Sequence, residues 1–138
     1  MPILISWLYE DRIIWLRNSG QMTLDDMFVA DASLRGYLDD STATRVHLIM
    51  DNRAVQGWHI APDELPKARS ANQFMAHPRL GWVVMCGMPQ GEKRLANFLG
   101  TMAAHEQNAR LRTFYTVDEA LAFLQEVDDS IPPLQIPE

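Results

Sequence analysis

The chain has 138 residues and a mass of 15.7 kDa, the size of a single domain. Hydrophobic residues make up 47% and charged residues 22%, a balance that excludes a disordered chain and a disulfide-rich scaffold. The net charge of −6 argues against binding to nucleic acid or to an anionic membrane surface.

Targeting signals are not recognisable in the sequence. The apolar N-terminus has no basic leader, and no apolar run approaches the roughly 18 residues that a membrane span needs. The one cysteine, Cys86, lies in an apolar run and is expected to be a buried, inert thiol. We therefore expect a cytoplasmic protein with no integral membrane segment.

The first part of the chain is predicted to form a β-hairpin followed by a helix. Residues 3–9 and 12–17 are strand-like runs, and the polar pair at 10–11 fits a tight turn between them. Thr23 has the features of a helix N-cap, since two aspartates follow in the first turn, where the helix dipole favours anions. This helix is expected to end at residues 39–41.

The middle of the chain is predicted to alternate strands with helices. Residues 45–51 are mostly apolar with an acidic end, and residues 80–86 are nearly all apolar, which is typical of strands buried on both faces of a sheet. Between them we predict one helix that begins at Pro62 and has its interior at residues 65–75. A third helix is predicted over residues 95–108.

The last elements are a short strand at 111–115 and a helix that begins after Thr116, which forms a capping-box pattern with Glu119. The remainder contains three prolines and is expected to be an extended arm. We therefore predict one domain at 1–127 and a proline-rich tail at 128–138. The order of elements predicts an α/β fold with a mixed, mostly parallel sheet of about five strands, helices packed on it, and an N-terminal β-hairpin.

Several local patterns along this order resemble the STAS superfamily, and within it the SpoIIAA-like branch. The most specific is RTFYTVDEALAFL at residues 112–124, which is similar to a terminal F-x-T-x-E-E-A-L-x-W-L pattern. The other matching segments are 15–26, 48–53 and 77–84. The resemblance implies a sheet with helices packed on it, no enzymatic activity, and binding of other proteins or small ligands.

The resemblance also implies a regulatory switch for which this sequence lacks the residue. Anti-sigma-factor antagonists of the superfamily are switched by phosphorylation of a serine in the loop after the middle strand. Residues 51–61 occupy that place here and contain no serine, threonine or tyrosine. We therefore expect a domain without the usual phosphorylatable serine.

The richest cluster of functional side chains lies in residues 51–60, which we predict to be a loop beyond the carboxyl end of a central strand. Ligands bind at this end in open α/β sheets. Arg53 is suited to an anionic group and Trp58 to stacking or packing. We predict a ligand- or partner-binding site of Asp51, Arg53, Trp58 and His59. The alternative is that Asp51 pairs locally with Arg53, Trp58 covers the sheet edge and His59 is solvated.

Metal, cofactor and catalytic chemistry have little support in the sequence. The four histidines include no closely spaced pair of the kind found in zinc sites, so we predict no metal. The glycine-containing segment at 87–94 matches neither the P-loop nor the dinucleotide fingerprint, so we predict no cofactor. No nucleophile lies in a recognisable catalytic motif, so we predict no catalytic residue.

Two functions stay open, with an enzyme as a third. The first is a non-enzymatic STAS-like regulatory or protein-interaction domain, binding a regulatory protein or itself as a homodimer. The second is a carrier or sensor of a small apolar or amphipathic, lipid-like ligand in a cavity lined by methionine and tryptophan. A flat apolar patch would favour the first and a deep closed pocket the second. A buried carboxylate–histidine pair in a cleft would favour an enzyme.

Overall fold

A computed structural model describes residues 2–87 and 110–137, which form a five-stranded sheet with helices on both faces. The strands, in their order across the sheet, are β1 (Ile3–Tyr9), β2 (Ile13–Thr23), β3 (Val46–His59), β4 (Leu80–Cys86) and β5 (Arg110–Phe114). The described helices are α1 (Leu24–Asp40), α2 (Leu65–Ser70) and α3 (Val117–Val127). The helix predicted at 95–108 lies outside the described residues, as does segment 88–94.

The strand pairing confirms the predicted mixed, mostly parallel sheet. β1 and β2 form the antiparallel N-terminal hairpin, and every other neighbouring pair is parallel. β3 lies at the centre of the sheet, as its apolar sequence indicates.

Two hydrophobic cores lie on opposite faces of β3, because its side chains alternate between them. On the front face, Leu48 and Met50 share a core with Leu34 of α1. On the back face, Ile49 shares a core with Leu124 of α3. The central strand is therefore buried on both sides.

The predicted N-caps begin the two long helices. The Thr23 hydroxyl accepts the backbone N–H of Asp26 at 3.3 Å, and the Asp26 carboxylate accepts the backbone N–H of Thr23 at 2.9 Å. At α3, the Thr116 hydroxyl accepts the backbone N–H of Glu119 at 3.2 Å. These hydrogen bonds satisfy donors that the first helical turn leaves unpaired.

The hairpin turn is tied to the junction between α1 and β3 through Asp11. This residue has a φ of 67°, in the left-handed region that aspartate tolerates in turns. Its carboxylate accepts hydrogen bonds from the Ser41 hydroxyl and from the backbone and hydroxyl of Thr42. Hydrogen bonds from the hydroxyls of Ser41 and Thr42 lower the pKa of Asp11 to about 2, so the Asp11 carboxyl is ionised at neutral pH.

The prediction of a loop over residues 51–60 is wrong, because β3 continues to His59. It pairs with β2 as far as Thr23, well past the end of β4, and two register shifts interrupt the pairing. Gly20 lies at one of these shifts with a φ of 68°. Beyond Asp51 the strand is no longer covered on both faces, although Trp58 still packs on the front core. Its sequence therefore loses the continuous apolar pattern on which the prediction depended.

The prediction of one continuous helix between Pro62 and Met75 is also wrong. Two 3₁₀ turns, Pro62–Glu64 and Gln73–Ala76, flank the short helix α2. In an α-helix starting at Pro62, residue 66 would donate its N–H to the Pro62 carbonyl, but Pro66 has no N–H, which disfavours a continuous helix. Pro66 lies instead in the first turn of α2. Asn72 leaves the helical conformation, with φ −129° and ψ 36°.

The C-terminal tail packs on the back face of the sheet. Ile131 is buried, and Leu134 and Ile136 contact the same core. Residues 131–137 form neither helix nor strand. The division into a domain at 1–127 and a tail at 128–138 stays a prediction.

A buried histidine on β3 connects the sheet to the start of this tail. Nδ1 of His47 accepts the backbone N–H of Trp82 at 2.9 Å, so Nε2 carries the proton and donates to Asp128 at 2.8 Å. The imidazole lies close to Gly81, where an added Cβ would lie 2.5 Å from Nδ1. The neutral form of the ring fits this arrangement, and burial holds the pKa of His47 below its ordinary value.

We predict that the protein loses stability in mild acid because of His47. Below the ordinary histidine pKa of 6.5, the unfolded chain binds a proton that the folded chain does not. The free energy of unfolding therefore decreases as the pH is lowered through this range. Urea unfolding at about pH 7.5 and about pH 5.5 should show this loss, and His47→Gln should reduce it. His59→Gln, at an exposed position, should leave the loss as it is in the unaltered protein. The same pH dependence in His47→Gln would contradict the prediction.

Candidate functional site

Asp51 is buried at the end of the apolar part of β3 and organises the predicted site. Its Oδ1 accepts hydrogen bonds from Nε and the backbone N–H of Arg53, at 2.9 and 3.1 Å. Its Oδ2 accepts from Nη2 of Arg53 at 2.8 Å and from the Trp15 indole at 3.3 Å. Burial opposes ionisation of Asp51, but the hydrogen bonds outweigh it, and the pKa of this carboxyl lies below its ordinary value.

This two-point contact fixes the guanidinium of Arg53 at the surface. The Arg53 side chain is 47% exposed, and Nε and Nη2 point back to the carboxylate. Its backbone passes close to Gly87, where a Cβ would lie 2.8 Å from Cα of Arg53. Gly87 also has a φ of 72°, a conformation that favours glycine.

Arg53 lines an open groove of about 490 Å³ at the back of β1, β2 and β3. We call it the Arg53 groove, and it is lined by Leu4, Arg17, Asn18, Ser19, Asp51, Arg53 and Ala54. The Arg17 guanidinium lies 4.1 Å from the centre of the Trp15 ring, a cation–π contact. Leu4 is 53% exposed at the rim. The groove therefore combines an apolar side chain with two guanidinium groups, one of which is paired with the Asp51 carboxylate.

The strand register explains this arrangement. Leu4 of β1 pairs with Arg17 of β2, and Arg17 pairs with Asp51 of β3, so the three residues form one row across the sheet. The sequence analysis missed Leu4 and Arg17 as site residues. Pairing the two predicted strands across the turn at residues 10–11 could have placed Leu4 beside Arg17. The turn alone gives the register of this pairing only approximately.

Trp58 and His59 lie away from the Arg53 groove. Trp58 packs between the front core and a smaller cluster that contains Leu24. His59 is exposed, and its Nε2 lies 2.6 Å from Oε1 of Gln21. Of the four predicted site residues, the structure brings together Asp51 and Arg53.

A methionine- and tryptophan-lined cavity is present on the front face, and it is small. Its volume is about 30 Å³, and Met22, Met27, Met50 and Trp58 contribute to its walls. That volume holds about one water molecule. The cavity is not the deep closed pocket that a lipid-like ligand requires.

A carboxylate–histidine pair, made by the buried His47 and the partly exposed Asp128, borders another cavity of about 420 Å³ at the opposite end of β3. Both ring nitrogens of His47 are occupied, so the imidazole has no lone pair with which to accept a proton from a substrate. The hydroxyl of Ser130 donates to Asp128 at 2.7 Å. No hydrogen bond is described between Ser130 and His47, so these residues lack the nucleophile-to-histidine contact of a catalytic triad.

Cys86 is fully buried, and burial raises the pKa of its thiol to about 12. The predicted buried thiol is confirmed, and it is protonated at neutral pH.

Across the described ranges, no group of three or more His, Cys, Asp or Glu side chains is placed to hold a metal ion. Among residues 2–87 and 110–137, no helix has the length and apolarity that a membrane crossing requires.

Comparison with known proteins identifies the fold. No family model and no curated protein matches the sequence. The solved structure of the anti-sigma factor antagonist SpoIIAA in its unphosphorylated form matches with a TM-score of 0.56 and 10% identity, over 89% of this chain and 97% of that one. An uncharacterised protein of the DUF3478 family from Shewanella loihica PV-4, with a SpoIIAA-like fold, matches with a TM-score of 0.55 and 15% identity, over 88% and 91%. The chain has a SpoIIAA-like fold, as its local patterns predicted.

We predict that Arg53→Ala lowers the free energy of unfolding by about 1–2 kcal/mol. Asp51 then stays buried without its two guanidinium donors, and the effect is moderated because Arg53 is half exposed. Arg45→Ala is the matched control, since Arg45 is exposed and forms no ion pair within the described ranges. It should change stability by less than about 0.5 kcal/mol in urea unfolding. Equal effects of the two substitutions would show that the Asp51 contact does not stabilise the fold.

Proposed function

We propose that this chain is a non-enzymatic regulatory domain of the STAS type that binds a protein partner through the Arg53 groove. The observation that carries the proposal is the row formed by Leu4, Arg17 and Asp51 with its bound Arg53. This row places an exposed apolar side chain beside two guanidinium groups. Such a combination suits a carboxylate of a partner next to an apolar contact.

The arginine is already held in place before a partner arrives. Two hydrogen bonds to Asp51 restrict the Arg53 side chain, so binding costs less conformational entropy than it does for a mobile arginine. Arginine is also one of the residues that most often dominate the energy of protein interfaces. The chain has a net negative charge, which repels an acidic partner at long range. Recognition of such a partner therefore depends on the guanidinium groups of Arg17 and Arg53 in the groove.

The carrier alternative has less support. Small-molecule sites usually have volumes of about 300–1,000 Å³, whereas the methionine- and tryptophan-lined cavity has about 30 Å³. The Arg53 groove is large enough but open, and it is lined by charged groups that do not suit a lipid tail. A protein surface fits an open, partly apolar groove better.

The regulatory part of the proposal is supported by the fold shared with an anti-sigma factor antagonist. Control by a serine in the segment 51–61 is not part of the proposal, because that segment has no hydroxyl side chain. A different regulatory protein suits the groove better than a second copy. A symmetric dimer through this surface would collect two copies each of Arg17 and Arg53 in one interface, and like charges repel.

Leu4→Glu tests the proposal, with Val29→Glu as a control. Both residues are exposed apolar side chains, at 53% and 56%, and Val29 lies on α1 away from the groove. We expect affinity capture from the native host, followed by native mass spectrometry, to yield an acidic-surfaced partner with the unaltered chain and with Val29→Glu. Leu4→Glu should reduce its capture at least about tenfold, because the new carboxylate competes for the two arginines.

Three outcomes would contradict this proposal. One is undiminished capture with Leu4→Glu, and another is the same loss with both variants. The third is a homodimer that Leu4→Glu alone disrupts, which would make a second copy the occupant of the groove.

A further inference from the structure

A cavity at the other end of β3 has a different chemistry. It has a volume of about 420 Å³, and three arginines from separate parts of the chain line it: Arg12 in the hairpin turn, Arg45 before β3 and Arg110 at the start of β5. We call it the three-arginine cavity. Trp82 forms part of its wall.

The positive charge of this cavity is only partly neutralised within the described part of the chain. Among the described residues, Asp128 is the one carboxylate that lines it. The oxygens of Asp128 already accept hydrogen bonds from His47 and from the backbone and hydroxyl of Ser130. Arg45 and Arg110 form no ion pair with any described residue.

Arg12 adds a third charge with a weak local partner. Its Nη1 donates to the backbone carbonyl of Asp11 at 3.1 Å. The same atom lies 3.8 Å from the Asp11 carboxylate, beyond hydrogen-bonding distance, and that carboxylate already accepts hydrogen bonds from Ser41 and Thr42. Three guanidinium groups around one cavity repel one another. In a chain with a net charge of −6, such a concentration of cations is most simply explained by an anion that binds there.

Buried hydrogen bonds hold the walls of the cavity in place. His47 is 2% exposed, and it connects the backbone of Trp82 to the side chain of Asp128. The tail turn at residues 128–130 is thereby fixed beside the sheet. Because the imidazole is neutral, it adds no further positive charge to the wall.

We propose that the three-arginine cavity binds a small polyanion of the phosphate type. Guanidinium groups present paired N–H donors that match the oxygens of phosphate. The volume falls in the range of small-molecule sites. The ring of Trp82 and the side chain of Val127 offer apolar contacts for an organic part of the ligand. The site lies at the opposite end of β3 from the Arg53 groove and does not depend on the function proposed for that groove.

Pyrophosphate is the probe for this site, and the full chain is the protein to use. Isothermal titration calorimetry, with the ionic strength held constant during each titration, should show saturable binding of one pyrophosphate. A second titration at higher ionic strength should give a lower affinity. Arg45→Gln should weaken binding about tenfold or more, since it removes charge-assisted hydrogen bonds. Lys67→Gln is the control, because Lys67 is an exposed cation on α2 and does not line the cavity. It should leave the affinity unchanged.

The location of binding can be checked by NMR. Backbone amide signals of Trp82 and Ser130 should shift on titration, whereas those of Arg53 should not. Absence of saturable binding, equal weakening by both substitutions, or shifts confined to Arg53 would each overturn the proposal. If circular dichroism shows that Arg45→Gln is unfolded, Arg110→Gln takes its place with the same expected result.

Discussion

The structure depends on β3, a strand whose two faces belong to two separate cores. Leu48 faces α1 and Ile49 faces α3, so this one strand joins layers that otherwise lie on opposite sides of the sheet. A buried polar side chain in the part of this strand that lies between the cores must find a partner inside the protein. The back face of β3 carries two of them, His47 and Asp51, four residues apart and therefore separated by about 13 Å.

Each of these two buried groups positions charged side chains at its own end of the sheet. Asp51 holds Arg53 by a contact within the same strand, and the result is a rigid cation in an open groove. His47 holds Asp128, so the tail forms one wall of a cavity that contains three arginines. The pattern of a buried strand thus accounts for both surfaces, although one suits a protein and the other a small anion.

Local signals in the sequence were sufficient for most of the fold. Both capped helix starts, the hairpin and the central apolar strand were predicted because turn residues, caps and periodicity act over a few positions. The extension of β3 from Asp51 to His59 was missed because a strand that is not covered on both faces needs no continuous apolar pattern. Pairing of Asp51 with Arg53 was foreseen as an alternative, since it spans two residues. The contact of His47 with Asp128 spans 81 residues and depends on the path of the tail, which no local pattern encodes.

The close approach of Gly81 to the imidazole of His47 has a consequence for how this fold can diverge. A methyl group at position 81 would occupy the space of the ring and of the Arg45 side chain. The ring would have to turn away, and the backbone N–H of Trp82 would lose its acceptor together with the anchor of the tail. Positions 47 and 81 are therefore expected to evolve as a pair. Either substitution alone removes the contacts that His47 makes with Trp82 and Asp128. Replacing the histidine first also removes the ring that blocks position 81, whereas replacing the glycine first forces a side chain into space that the ring still occupies.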